Sequence, residues 1–218
     1  MKLKKRMSLT TKDKILASAL YLFNRFGFVS VRLQHIADEV GMSVGNLAYH
    51  FKTKDELVEK LYQALAQEQQ QLLADLRMIP LFVNMNRHVE NSFLLQQKYS
   101  FFYTDTLEVI RAYSSIKRQY REQVQWQTIQ LELLLQFNIA RGALIEPQLP
   151  DTTFLLAHRY LLFLENWMNF ERMKGTEVAE INVQQLKDHI WGLLAPYFSL
   201  TGKNEYAQLN SLPFDNWS

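Results

Sequence analysis

Asn46, Tyr49 and His50 combine residue type and spacing in a way that suits chemistry, and that chemistry is hydrogen bonding. An amide, a phenol and an imidazole at positions i, i+3 and i+4 share one face of a helix. Leu47 and Phe51, four apart, form the apolar face of the same short segment. Polar side chains on the exposed face of such a helix match the donors and acceptors of base edges in a major groove. An Asn there reads adenine through two hydrogen bonds, worth roughly 1–3 kcal/mol of discrimination. Lys52 and Lys54 follow directly, and Arg32 and Ser43 precede; all four can contact phosphate. Ser43 is also a good N-cap for the helix it precedes.

Other chemistries are disfavoured. The chain has no cysteine, which excludes disulfides, zinc ribbons, iron–sulfur clusters and thiol nucleophiles. His88, His158 and His189 are scattered without ligand-spaced partners, so no metal site is expected. The seven glycines form no phosphate loop and no Gly-x-Ser-x-Gly elbow. No pair of carboxylates stands apart from the charged background. The expectation is a chain without catalytic residues, metal or cofactor, and not an enzyme.

The elements that must position Asn46 and its neighbours follow from periodicity. Residues 33–51 read as two short helices joined by a tight turn. Leu33, Ile36, Ala37 and Val40 fall at helical spacing, and Gly41 supplies the left-handed position at which the first helix stops. Upstream, residues 10–27 predict a helix. Thr10 and Asp13 form its capping box, Gly27 ends it, and Ile15, Ala19, Leu22, Phe23 and Phe26 make its apolar stripe. Downstream, Thr53 and Glu56 form a second capping box. The helix that starts there runs through Leu57, Leu61, Leu65, Leu72 and Leu76 to about Arg77, and Pro80 marks the boundary beyond it. Residues 1–60 carry a net charge of +5 and the remainder −3, which suits phosphate binding at one end only. Lys2, Lys4, Lys5 and Arg6 form a basic arm that either adds phosphate contacts or serves as a solubilising tail.

Beyond Pro80 the pattern stays helical, with no period-two alternation and no internal repeat. Helices are expected over about 87–103, 105–122, 125–144, 151–173 and 183–199. The tail from Gly202 has weak periodicity, and Pro213 argues against a long helix there. The N-terminus lacks the apolar core of a secretory signal and no run reaches the roughly 18 apolar residues of a membrane span, so a cytoplasmic location and no membrane partner are expected. The body is rich in aromatics, which are mostly core but include candidates for an apolar ligand pocket. Arg111, Arg141, Arg159 and Glu165 read either as exposed ion-pair partners or as groups that orient a polar ligand atom.

Three helices in about 50 residues, a fourth connecting helix and a helical body resemble the tetracycline-repressor (TetR) family. The resemblance is carried by Ala19, Phe23, Gly27, Ile36, Ala37, Gly41-Met42-Ser43, Gly45-Asn46-Leu47-Ala48-Tyr49-His50-Phe51, Lys54 and Leu57. It implies an all-α fold with a helix-turn-helix DNA-binding domain at 1–52, a connecting helix at 53–79 and a ligand-binding and dimerisation domain at 80–218. It also implies a ligand-responsive, dimeric regulator, more simply a repressor, that reads a near-palindromic operator in double-stranded DNA through Arg32, Ser43, Asn46, Tyr49, His50, Lys52 and Lys54. The partners would be operator DNA, a second copy of the chain and an unidentified, largely apolar effector. Phe102, Tyr113, Trp126 and Phe137 are the candidate effector contacts. Phe163, Trp167, Phe170, Ile190 and Leu194, on the last two long helices, are the candidates for the dimer interface. One departure is Ala48, where the family usually carries a Tyr that touches a phosphate. Either Tyr49 takes over that contact from a neighbouring angle or the contact is absent. Ala48 thus motivates a rival reading, a helical small-molecule or lipid-binding protein whose helix-turn-helix is vestigial.

Overall fold

The structure is a computed structural model and describes residues 10–148 and 150–209. The basic arm (Lys2, Lys4, Lys5, Arg6) and Pro213 lie outside the described residues. Among the described residues the regular structure is helical, apart from one isolated bridge between Leu144 and Phe198.

The head is built from α1 (Thr11–Phe26), α2 (Leu33–Val40) and α3 (Val44–His50). The α1 capping box closes reciprocally: Asp13 N–H donates to Thr10 Oγ1 at 3.2 Å and Thr10 N–H to Asp13 Oδ2 at 3.0 Å. Gly41 ends α2 at φ 75°, a left-handed conformation that glycine adopts without steric cost. Ile15, Ala19, Phe23, Ile36, Ala37 and Leu47 fill the centre of the head. Phe26, expected on the buried stripe, is instead half exposed, and Arg25 lies over its ring.

α4 (Lys54–Met78) leads out of the head, with its first turn capped by Thr53 Oγ1, which accepts from Glu56 N–H at 3.2 Å. The body follows as α5 (Phe82–Lys98), α6 (Ser100–Thr104), α7 (Thr106–Ala112), α8 (Ser114–Ala140), α9 (Thr153–Met173), α10 (Val183–Leu194) and α11 (Leu200–Leu209). α8 packs along α9, α9 against α10, and α4 against α5. No helix among the described residues is long and apolar enough to cross a membrane.

Three expectations shift. The helices expected over 105–122 and 125–144 divide at Tyr113 instead, leaving a single α8 across 114–140; Lys117, Arg118, Arg121, Glu122 and Gln125 belong to its exposed face. The helix expected to run to 199 stops at Leu194, because Pro196 forces a 3-10 turn over Ala195–Tyr197. The weakly periodic tail nevertheless forms α11, held by tertiary contact. Phe82, Trp191, Phe198 and Tyr206 interlock with ring centroids 5.0–6.1 Å apart. Arg141 pairs with Glu205 over the Phe82 ring. Gly202 lets α11 approach closely, since a Cβ there would sit 2.2 Å from the Ala143 carbonyl oxygen.

Candidate nucleic-acid interface and effector chamber

α3 offers its polar face to solvent. Ser43 Oγ accepts from Asn46 N–H at 3.2 Å, which satisfies one orphan donor of the helix and fixes its first turn. Leu47 is fully buried beneath, so rotation of α3 is locked and Asn46 and Tyr49 face outward. Tyr49 is 87% exposed, an unusual position for an aromatic ring unless a partner covers it. His50, half-buried, contacts the Tyr49 ring edge-on at 5.4 Å. Lys52 is exposed, and its backbone N–H is held by Glu56 Oε2 at 2.9 Å. Arg32 is exposed at the mouth of α2. Its N–H donates to His35 Nδ1 at 3.2 Å, a cap that the sequence reading missed because His is not a customary capping residue.

Lys54 requires a correction. Its ammonium points inward, donating to the carbonyls of Phe28 (2.7 Å), Val31 (3.0 Å) and Val29 (3.4 Å) and lying over the Phe28 ring. Burial lowers its pKa, against an opposing pull from Asp55. Lys54 is therefore a clamp between the α1–α2 loop and the start of α4 rather than a phosphate contact.

The head is hooked onto the body by Asn24, another residue the sequence did not single out. Its Nδ2 donates to the Lys98 carbonyl at 2.9 Å and its Oδ1 accepts from Phe101 N–H at 3.0 Å. These groups sit at the break between α5 and α6, where the helical ladder leaves backbone groups unpaired. Phe23 of the head packs on Phe101 at 5.5 Å. Tyr113 lies at this same junction: its hydroxyl donates to Asp55 Oδ1 at 3.0 Å and its ring contacts Phe28 at 6.3 Å.

Two neighbouring spaces that share Tyr103 and Glu165 in their walls lie behind α6. The outer one is a vestibule of about 410 Å³ between α6, α7, α8 and α9. Asp105, Glu108, Ile110, Tyr120 and Asn169 are among the residues that line it. The inner one is a pinhole of about 10 Å³ bordered by Gln69, His88, Gln96 and Gln127. Tyr103 and Glu165 line both. Gln69 Nε2 donates to Tyr103 Oη at 2.8 Å and reaches Glu165 Oε1 at 3.3 Å. Burial pushes the Glu165 carboxyl up to about 7, partly offset by a hydrogen bond from Gln127. Burial also raises the phenols of Tyr62, Tyr103 and Tyr120, and the nearby Glu165 carboxylate adds to each rise. Buried His88 is pushed down to about 4 and is neutral at ordinary pH.

Of the four residues expected at the effector, Phe102 backs this chamber, buried against Tyr62 at 5.2 Å and Tyr120 at 5.9 Å. The other three lie elsewhere. Tyr113 belongs to the head–body junction, Trp126 borders a separate recess beside Gln70 and Gln123, and Phe137 is 46% exposed. Glu165, read only as a possible orienting group, is the chamber's central residue. Arg159 and Arg141 are ion-paired, with Asp151 and Glu205 respectively.

An apolar groove of about 480 Å³ runs along α9 and meets α10 at His189. Phe163 stacks on His189 at 5.6 Å, and Trp167 lies 4.9 Å from the same ring. Leu162, Phe163 and Phe170 are exposed there. Ile190 and Leu194, expected at the dimer interface, are corrected: at 1% and 0% exposure they sit in the chain's own core and have no surface to offer.

Two family models match the chain. One, described as bacterial regulatory proteins of the tetR family, covers residues 15–61 and hence the head. The other, described as a TetR bacterial transcriptional repressor, covers residues 66–206. A probable HTH-type transcriptional regulator, YttP of Bacillus subtilis, is 42% identical over 55 residues, 25% of this chain and 27% of that protein. RutR of Escherichia coli, an HTH-type transcriptional regulator, is 46% identical over 46 residues, 21% of this chain and 22% of its own length. These matches span about a quarter of the length of the curated relatives. A TetR-family regulator from Marinobacter aquaeolei superposes with a TM-score of 0.81 at 25% identity, over 93% of this chain and 98% of that one. With models of the family matched across both head and body, the chain belongs to the TetR family of DNA-binding transcriptional regulators.

Proposed function

We propose that the protein is an effector-responsive repressor that binds a near-palindromic operator as a homodimer. The observation that carries this reading is the outward face of α3, where Tyr49 is 87% exposed on a helix locked from beneath by Leu47. Residues 1–52 form the DNA-binding unit, α4 the connector, and the chain beyond residue 80 the effector and dimer unit. Asn46 and Tyr49 contact bases or phosphates. Arg32, His50 and Lys52 add phosphate contacts, and Ser43 both caps α3 and faces the backbone. Tyr49 occupies the phosphate-contact role left open by Ala48.

Dimerisation uses the apolar face of α9, with Phe163, Trp167 and Phe170 around His189. A surface this apolar supports burial against a second copy. A two-fold dimer carries two α3 helices to successive major grooves about 34–36 Å apart. The chamber between α6 and α9 takes the effector. A ligand there acts only by binding one separation of the heads better than the other, with couplings typically about 1–3 kcal/mol.

Fluorescence anisotropy on duplexes tiled across the DNA upstream of the protein's own gene, with competitor and at two salt concentrations, tests the reading. The expected result is one tight, salt-dependent complex on a near-palindromic duplex, weakened at least about tenfold by Tyr49→Ala. Weak binding that is equal on every duplex and indifferent to Tyr49 would refute it and favour the vestigial-head alternative.

A further inference from the structure

We propose that the effector is a primary amine, with its ammonium group seated in the inner chamber against Glu165 and Gln96 and its remainder in the vestibule. This rests on the effector-responsive reading above.

Three independent observations converge on it. The first is charge. The vestibule carries the carboxylates of Asp105, Glu108 and Glu165 and no Lys, Arg or His among its lining residues. The sole basic side chain of the inner chamber is His88, neutral for the reason given above. A cavity with carboxylate walls and no cation concentrates cations and repels anions. This departs from the largely apolar pocket that aromatic content predicts.

The second is unmet hydrogen bonding. Gln96 is 1% exposed; its Nε2 donates to the Leu164 carbonyl at 2.6 Å, while its Oε1 has no partner. Gln96 lines the inner chamber beside Glu165. An orphaned buried acceptor costs on the order of 1–3 kcal/mol, so a ligand that brings N–H donors is favoured over one that does not. An ammonium group has three N–H donors and no acceptor to mismatch.

The third is size. The inner space of about 10 Å³ admits a group no larger than a water molecule. An –NH₃⁺ group meets that limit; a trimethylammonium or a guanidinium exceeds it. Tyr103 and Tyr120 line the vestibule, where their rings favour a cation electrostatically.

The test is titration calorimetry on the full-length wild-type protein with a matched series: phenethylamine, 2-phenylethanol, 3-phenylpropionate and N,N,N-trimethylphenethylammonium, together with 1,4-diaminobutane against 1,4-butanediol. The expected order puts a primary amine about tenfold or more tighter than its alcohol, with the carboxylate not binding. Glu165→Gln, checked for folding by circular dichroism, should abolish that preference. Three results overturn the proposal: an alcohol or carboxylate binding as well as the amines, the trimethylated compound matching phenethylamine, or no primary amine binding at millimolar concentration. Because the titration contains no DNA, its failure leaves the operator reading standing. Amine binding that releases no operator would instead sink the effector-responsive reading and keep the charge assignment.

Discussion

Glu165→Gln should make the protein more stable at neutral pH, and the difference should vanish in acid. The carboxyl is held at about 7 against an ordinary 4.5 because burial disfavours its charged form. That displacement corresponds to roughly 3 kcal/mol if burial is complete, and to about 1–3 kcal/mol once water in the vestibule screens the charge. The sign follows from proton binding. Below about pH 4.5 the carboxyl is protonated in both folded and unfolded chains and Glu165 costs nothing. Between about 4.5 and 7 the unfolded chain releases its proton while the folded chain keeps it, so stability falls as pH rises. Above 7 the loss is complete. Glutamine, neutral throughout, escapes it.

Other groups face the same chamber: His88 on α5, Tyr103 on α6, Asp105 and Glu108 at α7, and Tyr120 on α8, with Tyr62 of α4 packed behind on Phe102. His88, at about 4, and the phenols, raised by burial, titrate outside the window. Asp105, raised by burial and by Glu108, is present in both proteins and cancels in the difference. Urea unfolding followed by circular dichroism at pH 5, 6, 7 and 8 measures the comparison. The stability gap should widen from pH 5 to about 7 and level off by 8. Parallel curves for the two proteins would refute the claim that Glu165 is the chamber's strained acid.

Gly202→Ala should destabilise the fold by about 1–3 kcal/mol in thermal unfolding, because its Cβ would meet backbone at the Ala143 carbonyl rather than a movable side chain. Lys54→Met and Lys52→Ala should separate cleanly. The first removes a charged donor from three carbonyls and lowers stability by about 1.5–3 kcal/mol. The second leaves stability within about 0.5 kcal/mol. It lowers operator affinity and reduces the slope of log affinity against log salt by about 1 in anisotropy titrations. Phe163→Asp, in the α9 groove, should convert the dimer to monomer in light scattering while circular dichroism stays helical. A dimer of unchanged mass would move the interface elsewhere.

The head was legible because its rules are local. The capping box at Thr10, the N-cap at Thr53 (whose expected box is only half made, because Glu56 accepts from Lys52 N–H instead), Gly41 at a left-handed position and Leu47 beneath Asn46 and Tyr49 are all set by neighbours within a few residues. The body was legible only as helices. Whether Ile190 faces the core or a partner depends on which helix lies beside α10, and periodicity is the same for both. Lys54 shows the same limit: a lysine near a helix start reads as a phosphate contact until the Phe28 and Val31 carbonyls, more than 20 residues upstream, are brought to it. α11 has little amphipathic pattern because contact with Phe82 and Ala143 holds it. Glu165 was hidden for the opposite reason, since a lone acid on a long helix is ordinarily solvated.

Two elements have a foot in two places, and this arrangement joins the chamber to the rest of the molecule. α6 presents Tyr103 to the chamber and Phe101 to the head, with only Phe102 between them in sequence. Asn24 grips the backbone on either side of the α5–α6 break, at Lys98 and Phe101. α9 presents Glu165 to the chamber, and its neighbour Asn166 borders both the vestibule and the apolar groove. On the proposed reading, a ligand that repositions Tyr103 against Glu165 would act on α6, which contacts the head, and on α9, which carries the apolar groove. At its N-terminal end this five-residue helix, α6, is joined to α1 by the Asn24 hydrogen bonds and the Phe23–Phe101 contact. The same helix would have to move if a larger group were forced into the inner chamber, since Tyr103 is one of its walls. On the proposed reading, size selection in the chamber and transmission to the head would both depend on Tyr103.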